Sequence, residues 1–191
     1  REKEMPRYAD RLDMSVTFQP VNIAVMTVSD TRTEADDKSG SLLVSRIEED
    51  GHMLADRAII TDDVPQIIAR LKEWIESPQV DVVVTTGGTG LTGRDSTPEA
   101  FAAIVDKDIP GFGELFRMLS FEKIGTSTVQ SRALAGVAGG TYLFALPGST
   151  SACKDGWDDI LRYQLDIRHR PCNFVEIMPR LNESAMTRRT G

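Results

Sequence analysis

The sequence predicts a three-layer α/β domain: an open, mostly parallel sheet with helices on both faces. Two apolar segments rich in β-branched residues, VNIAVMTV (residues 21–28) and VDVVVTT (80–86), are hydrophobic on both faces of a strand. That pattern is typical of strands buried between two layers of helices. Residues 64–75 instead repeat their apolar side chains with the 3.6-residue period of an amphipathic helix. Strands that alternate with helices along the chain favour a parallel sheet.

The first half of the chain is predicted to follow the order β-α-β-α-β. After the strand at 21–28, a polar loop leads into a helix whose apolar stripe stops at Gly51. The segment HMLADRAII (52–60) is the second strand. Asp63 is a suitable N-cap for the next helix, with Gln66 three residues later. The apolar strand that follows completes the pattern.

The second half of the chain predicts further helices and one strand pair. Thr97 is a predicted helix cap, with Pro98 at the first helical position. The remaining elements, in chain order, are a helix in FGELFRMLSFEKI (112–124), a hairpin of residues 132–137 and 141–146 around Gly139-Gly140, and a closing helix that begins near Ser149.

Composition limits the class of protein. The chain has 191 residues and a net charge of −7, without the basic surface that a nucleic acid would require. No apolar run approaches the roughly 20 residues of a membrane helix, and the polar first residues lack the apolar centre of a secretory signal. We therefore expect a cytoplasmic protein that binds neither nucleic acid nor membrane, with two free thiols. One domain is expected over residues 20–178, between an N-terminal extension (1–19) and a C-terminal tail (179–191).

The most unusual stretch is VVVTTGGTGLTGRDSTPEA (82–100), in which four glycines follow an apolar strand. Residues 88–93 spell GxGxxG, but the dinucleotide-binding pattern requires glycines that lead directly into a helix. Here RDST intervenes, and no acidic residue stands at the end of a following strand. No Gly-Lys-Ser/Thr follows either, which excludes a Walker loop. The sequence thus disfavours both a dehydrogenase and a P-loop nucleotidase.

The glycine loop instead predicts an anion-binding backbone at the end of a strand. Ligands of open parallel sheets bind beyond the carboxyl ends of the strands, where glycines allow backbone N–H groups to approach a phosphate. A side chain at position 88 is expected to fill this cradle and to leave the fold intact. Connecting turns without a binding role are the alternative. Small or polar residues at three strand ends form the candidate site: Ser29, Asp30, Gly87, Gly88, Thr89, Gly90, Pro147, Gly148, Ser149 and Thr150.

Several long motifs occur in one order across residues 20–178: TTGGTG, GRDSTPEA, PGFGELFRMLSFEKIGTSTVQSRALAG, LPGSTSAC and HRPCNF. In these motifs the sequence resembles the MoaB/MogA family of molybdenum-cofactor biosynthesis proteins, and RMLSFEKIGTSTVQSRA and RPCNF favour the MoaB branch. The resemblance implies a molybdopterin-binding, MogA-like fold and a homotrimer or homohexamer. For catalytic members it also implies transfer of AMP from Mg-ATP to molybdopterin.

Adenylyl transfer requires positioning and charge neutralisation more than a protein nucleophile, because the attacking phosphate is already anionic. Mg²⁺ is usually held by one or two carboxylates, with water and phosphates as its other ligands. Asp62 and Asp95 match acidic positions of catalytic family members and are the predicted catalytic and metal-binding residues. The alternatives are a solvated loop carboxylate for Asp62 and, for Asp95, a turn residue that bonds its own backbone.

Other residues are predicted around this site. Ser131 and the LPGST loop would line the opposite wall, and Arg132 or Lys154 would supply a cation or lie at the surface. The apolar stripe in FGELFRMLSF predicts either core packing or a subunit contact. Two functions remain open at this point: a molybdopterin adenylyltransferase, or a non-catalytic molybdopterin-binding carrier or scaffold of the same fold. The paired aspartates favour the first.

Overall fold

The computed structural model describes residues 11–183, and the sheet within them is mostly parallel, as predicted. The strand order is β2-β1-β3-β6-β5-β4. Neighbouring strands from β2 to β6 are parallel, whereas β5 runs antiparallel to both β6 and β4. The strands are β1 (Asn22–Val28), β2 (Met53–Ile60), β3 (Val82–Thr86), β4 (Lys107–Asp108), β5 (Leu134–Ala138) and β6 (Thr141–Leu146).

Helices cover both faces of this sheet. A π-helical stretch, Trp157–Leu161, joins α5 to α6, and 3₁₀ turns cover Gly125–Gln130 and Met178–Arg180. The α-helices are α1 (Lys38–Glu49), α2 (Val64–Glu76), α3 (Thr97–Ile104), α4 (Pro110–Ile124), α5 (Thr150–Gly156), α6 (Arg162–Gln164) and α7 (Phe174–Ile177). None of the helices in the described part of the chain combines the length and apolarity needed to cross a membrane.

Two hydrophobic cores lie on opposite faces of the sheet. Successive strand residues point to opposite faces, so β1 contributes to both cores. Ile23 and Val25 face the core that contains residues of α1, α4 and α5, whereas Ala24 and Met26 face the core that contains residues of α2 and α3. All four side chains are fully buried. This is the reason that the central strands are hydrophobic on both faces.

The predicted helix starts are confirmed at two positions and wrong at one. Asp63 caps α2 by accepting a hydrogen bond from the Gln66 backbone N–H (3.2 Å), and Ser149 caps α5. Thr97, however, is the first residue of α3 rather than its cap. Its hydroxyl donates to the Gly87 carbonyl (3.0 Å), because the glycine loop folds back over the start of the helix.

The sequence analysis missed the short elements β4 and α7, since neither is long enough to show a periodic pattern. The described part of the predicted N-terminal extension, residues 11–19, packs on the C-terminal part of the chain. The Asp13 backbone N–H donates to the Arg168 carbonyl (2.8 Å), and the Phe18 ring lies 5.2 Å from that of His52. Residues 1–10 and 184–191 of the predicted extension and tail lie outside the described residues.

A buried carboxylate joins three elements at the carboxyl end of β1. Asp37 is 1% exposed and accepts hydrogen bonds from the Thr27 hydroxyl (2.6 Å), the Gly40 backbone N–H (3.0 Å) and Arg57 Nη2 (3.0 Å). Burial by itself would raise the pKa of Asp37, but the hydrogen bonds from Thr27, Gly40 and Arg57 outweigh it and lower the pKa. The charged form is therefore stable inside the protein and fixes α1 against β1 and β2.

Replacing Asp37 with alanine should lower the free energy of unfolding by about 3 kcal/mol, because the Arg57 guanidinium loses its buried partner and α1 loses its cap. Urea-induced unfolding followed by circular dichroism measures the change. The matched control is Glu34→Ala, which removes a carboxylate at an exposed position nearby and should cost less than about 0.5 kcal/mol. Equal losses in the two variants would contradict this role.

The stabilisation by Asp37 should also depend on pH. Because its pKa is lowered in the folded state, the contribution is complete above the ordinary pKa of an aspartate. It is lost as the pH falls through the lowered, folded-state pKa. The stability of an Asp37→Asn variant should consequently decline less steeply with acid than that of the unchanged protein.

Candidate functional site

A cavity of about 470 Å³ lies at the carboxyl ends of β1, β3 and β6. The strand ends that were predicted to converge therefore do meet at one edge of the sheet. Residues from the loop between β5 and the preceding 3₁₀ turn complete the wall. Of the predicted site residues, the cavity is lined by Ser29, Asp62, Gly87, Gly88, Thr89, Gly90, Asp95, Ser131, Pro147 and Gly148.

Three predicted binding residues, Asp30, Ser149 and Thr150, are not part of the cavity lining. Asp30 pairs with Arg94 (Oδ2 to Nη2, 2.7 Å) and also accepts from the Asp62 backbone N–H. The hydrogen bond from Arg94 and, to a lesser extent, the one from Asp62 lower the pKa of Asp30. The Ser149 side chain is used in capping α5, and Thr150 is an exposed first residue of that helix.

The glycines of the loop are required by close contacts within the protein. Gly87 has φ +96°, and a Cβ there would lie 2.3 Å from the carbonyl oxygen of Val28. Gly88 has φ +69°, and its Cβ would lie 2.3 Å from Thr97 Oγ1. A side chain at position 88 would therefore collide with α3 instead of filling the cavity. We therefore expect a substitution at position 88 to strain the fold, which the prediction from the sequence did not include.

Asp62 is tied to the start of α3. Its Oδ1 atom accepts hydrogen bonds from the Ser96 backbone N–H (3.1 Å) and from the Ser96 hydroxyl. Its Oδ2 atom faces the glycine loop, 3.1 Å from where a Cβ on Gly88 would stand. The half-buried carboxylate is thus not the solvated loop residue that was the alternative for this position.

Asp95 braces its own loop. Its Oδ2 atom accepts hydrogen bonds from the backbone N–H (2.8 Å) and the hydroxyl (2.7 Å) of Thr92. Burial alone would raise the pKa of Asp95, but the hydrogen bonds from Thr92 and from the Gly90 backbone, together with the Arg132 charge, lower it. The turn role considered for this residue is therefore observed, and the same carboxylate also lines the cavity.

These two carboxylates have the donor chemistry of a Mg²⁺ site but do not form a complete one. Within residues 11–183, no group of three or more His, Cys, Asp and Glu side chains is placed to hold a metal ion. A Mg²⁺ ion commonly takes one or two protein carboxylates and completes its octahedron with water and substrate phosphates. Asp62 and Asp95 fit an ion that enters together with phosphates.

The two basic residues that were predicted to supply a cation, Arg132 and Lys154, lie outside the cavity lining. Arg132 donates to the carbonyls of Gly90 (Nε, 2.8 Å) and Asp95 (Nη2, 2.8 Å) and pairs with Glu99 (2.5 Å). It thereby clamps the glycine loop, but neither Arg132 nor the exposed Lys154 is part of the cavity lining.

Sequence reasoning missed Arg32, which does line the cavity. Its guanidinium donates to Ser39 Oγ (Nη1, 3.2 Å) and to the Gly148 carbonyl (Nη2, 3.3 Å). Its backbone N–H donates to Ser29 Oγ (3.1 Å). The available signal was a basic residue in the polar loop directly after the first strand, SDTR.

The two cysteines are free, as expected, and one lies beneath the cavity. The Cys153 thiol donates to Thr86 Oγ1 (3.1 Å), and the Thr86 hydroxyl in turn donates to the Pro147 carbonyl (2.9 Å). Burial raises the pKa of Cys153 to about 11, so the thiol is neutral near pH 7. Cys153 is a packing residue rather than a nucleophile.

Replacing Gly88 with alanine should lower the free energy of unfolding by about 1–3 kcal/mol, because the residue has a positive φ and its Cβ would meet Thr97. Chemical denaturation measures this loss. Gly93→Ala is the matched control in the same loop, since no atom lies within 4 Å of an added Cβ there. An equal effect at both positions would show that close packing of Gly88 is unimportant.

Comparisons with known proteins identify the family of this chain. The chain matches the family described as probable molybdopterin binding domain over residues 24–167. Molybdenum cofactor biosynthesis protein B of Escherichia coli (strain K12) is 53% identical over 161 residues, 84% of this chain and 95% of the relative.

Solved structures show the same relationship. A crystal structure of molybdenum cofactor biosynthesis protein B has a TM-score of 0.75 at 42% identity, covering 77% of this chain and 92% of its own. The tungsten cofactor synthesizing protein MoaB from Pyrococcus furiosus has a TM-score of 0.69 at 40% identity, covering 75% and 91%. The chain thus belongs to the MoaB branch of the MoaB/MogA family of molybdenum-cofactor biosynthesis proteins.

Proposed function

We propose that this protein is a molybdopterin adenylyltransferase, which binds molybdopterin and transfers AMP to it from Mg-ATP. The observation that carries the proposal is that two carboxylates, Asp62 and Asp95, line one cavity together with the glycine loop. Both are anchored by hydrogen bonds to neighbouring backbone, so their positions are fixed before a ligand arrives.

The chain's own residues would act mainly by positioning. Bound Mg²⁺ would neutralise the charge that develops on the phosphates as pyrophosphate leaves. Asp62 and Asp95 would hold the metal, and the glycine loop would keep the reacting phosphates aligned. The attacking group would be the phosphate of the pterin, which needs no protein base.

A carrier or scaffold that binds molybdopterin without chemistry is the second candidate. The Asp95 contacts favour it, because this carboxylate uses Oδ2 to brace Thr92 and would have a structural purpose in an inactive protein as well. A demonstration of AMP transfer separates the two candidates. The free thiols support the reducing cytoplasm as the location for either function.

We also propose a closed homo-oligomer, a trimer or hexamer, with α4 and the following 3₁₀ turn in its interface. The predicted stripe itself packs on the core: Phe112 and Phe116 are buried, and Leu115 and Leu119 are partly buried against it. Four other apolar side chains are exposed instead, and an apolar surface of this kind supports a subunit contact. They are Met118 (61% exposed), Phe121 (55%), Ile124 (56%) and Val129 (76%).

Asp62→Asn and Asp95→Asn should each reduce the formation of adenylylated pterin by about 10²-fold or more, because one charged contact to the metal is lost in a preorganised site. Molybdopterin affinity and the fold should be retained. The double variant should be little worse than either single variant, since the first change already disables the metal site. Product formation from molybdopterin, Mg²⁺ and ATP is followed by chromatography.

Asp63→Asn is the matched control for this series. It removes the same charge from the adjacent residue, it does not line the cavity, and asparagine caps a helix as well as aspartate does. Its turnover should equal that of the unchanged protein. Normal turnover in both cavity variants, or no product from the unchanged protein, would replace the enzyme proposal by the carrier proposal.

Phe121→Glu should shift the protein from a closed oligomer towards monomer, because a charge would be buried in the proposed interface. Light scattering at micromolar concentration measures the mass. Met14→Glu, at an apolar side chain that is 73% exposed on another segment, should leave the oligomer unchanged. A monomeric mass for the unchanged protein would refute the proposed assembly.

A further inference from the structure

The cavity has opposite charges on its two sides. Asp62 and Asp95 lie on the side of α2 and α3, because Asp62 precedes the α2 cap and is hydrogen-bonded to Ser96 at the start of α3. Arg32 lies on the other side, where its guanidinium contacts Ser39 of α1 and the Gly148 carbonyl before α5. The uncharged residues 87–90 of the glycine loop line the cavity as well.

Arg32 is held in position yet is still available to a ligand. Its contacts with Ser39 and Gly148 use two of the five N–H donors of a guanidinium. The side chain is 37% exposed, and the nearest carboxylate oxygen, Asp37 Oδ1, is 3.8 Å away. Asp37 already accepts hydrogen bonds from Thr27, Gly40 and Arg57, so it does not saturate Arg32.

Of the described residues that line the cavity, Arg32 is the one with a positive charge. An anion that enters without a metal ion is repelled by Asp62 and Asp95 and attracted by Arg32. A phosphate that carries Mg²⁺ is attracted by the carboxylates instead. The carboxylates therefore favour a phosphate that carries a metal ion, and Arg32 favours a phosphate that does not.

We propose that Arg32 binds the phosphate of a ligand that reaches the cavity without metal, and so fixes the direction in which the ligand lies. Naming molybdopterin as that ligand rests on the proposed function, since the metal-bearing phosphates would be those of ATP. The recognised chemistry, an unmetallated phosphate beside a braced arginine, is common to both molecules.

Titration calorimetry in metal-free, chelator-treated buffer tests this inference, with molybdopterin and ATP as separate probes and adenosine as the phosphate-free control. Arg32→Gln should weaken the binding of at least one of the two phosphate-bearing probes by roughly 10-fold or more, the scale of a lost charge-assisted hydrogen bond. Arg32→Lys should restore part of the affinity, because charge returns without the planar fork.

Lys154→Gln is the matched control, since Lys154 carries the same charge on the exposed surface of α5 but does not line the cavity, and its affinities should not change. A loss confined to molybdopterin assigns the phosphate to the pterin, and a loss confined to ATP assigns it to the nucleotide; both support the role of Arg32. Unchanged affinity for both probes in Arg32→Gln would overturn it, as would an equal loss for adenosine.

Arg32 also contacts Ser39 and Gly148, so thermal unfolding of each variant is measured alongside. If Arg32→Gln does not fold, the comparison of Arg32→Lys with the unchanged protein decides, and equal affinities there overturn the proposal. Absence of AMP transfer by the unchanged protein, together with a persisting effect of Arg32 on phosphate binding, would refute the proposed function and leave this inference standing.

Discussion

The close approach of three strand ends at Gly87 is the constraint on which the rest of the site depends. The Gly87 backbone N–H donates to the Leu146 carbonyl of β6 (3.0 Å), while an added Cβ would stand 2.3 Å from the Val28 carbonyl of β1. A Cβ on Gly148 would in turn lie 3.4 Å from the Gly87 Cα. Any larger residue at Gly87 would push β1 away from β3. The cavity exists because these loops leave the sheet in contact with one another.

Further contacts hold the glycine loop in place. Arg132 donates hydrogen bonds to three backbone carbonyls of the loop. Its backbone N–H binds the carbonyl of Thr89, and its guanidinium binds the carbonyls of Gly90 and Asp95. The Thr97 hydroxyl fixes the Gly87 carbonyl from the other side. Glycine would otherwise give this segment great freedom, and a mobile loop cannot present preorganised groups to a phosphate. The glycine loop is nevertheless held in place, because the side chains of Arg132 and Thr97, which lie outside the cavity lining, restrain it.

The sequence could predict those features that are local and periodic. The buried strands, the α2 stripe and the Asp63 cap depend on neighbours within one or two turns, and parallel topology then brings the strand ends together. The rest depends on contacts between distant parts of the chain. The Arg32 guanidinium donates to the Gly148 carbonyl, 116 residues away, and Asp37 accepts a hydrogen bond from Arg57. Composition and spacing contain no trace of such pairs. The misplaced cap at Thr97 has the same origin, a tertiary bond to Gly87.

The two aspartates line one cavity and are braced in the same way. Asp95 gives Oδ2 to both donors of Thr92, and Asp62 gives Oδ1 to both donors of Ser96. Each carboxylate keeps its second oxygen outside these pairs, and Oδ2 of Asp62 faces the glycine loop. One or two protein carboxylates commonly hold Mg²⁺ together with water and substrate phosphates. On the proposed function the metal would therefore enter with its nucleotide, and the side of Arg32 would be left to the other substrate.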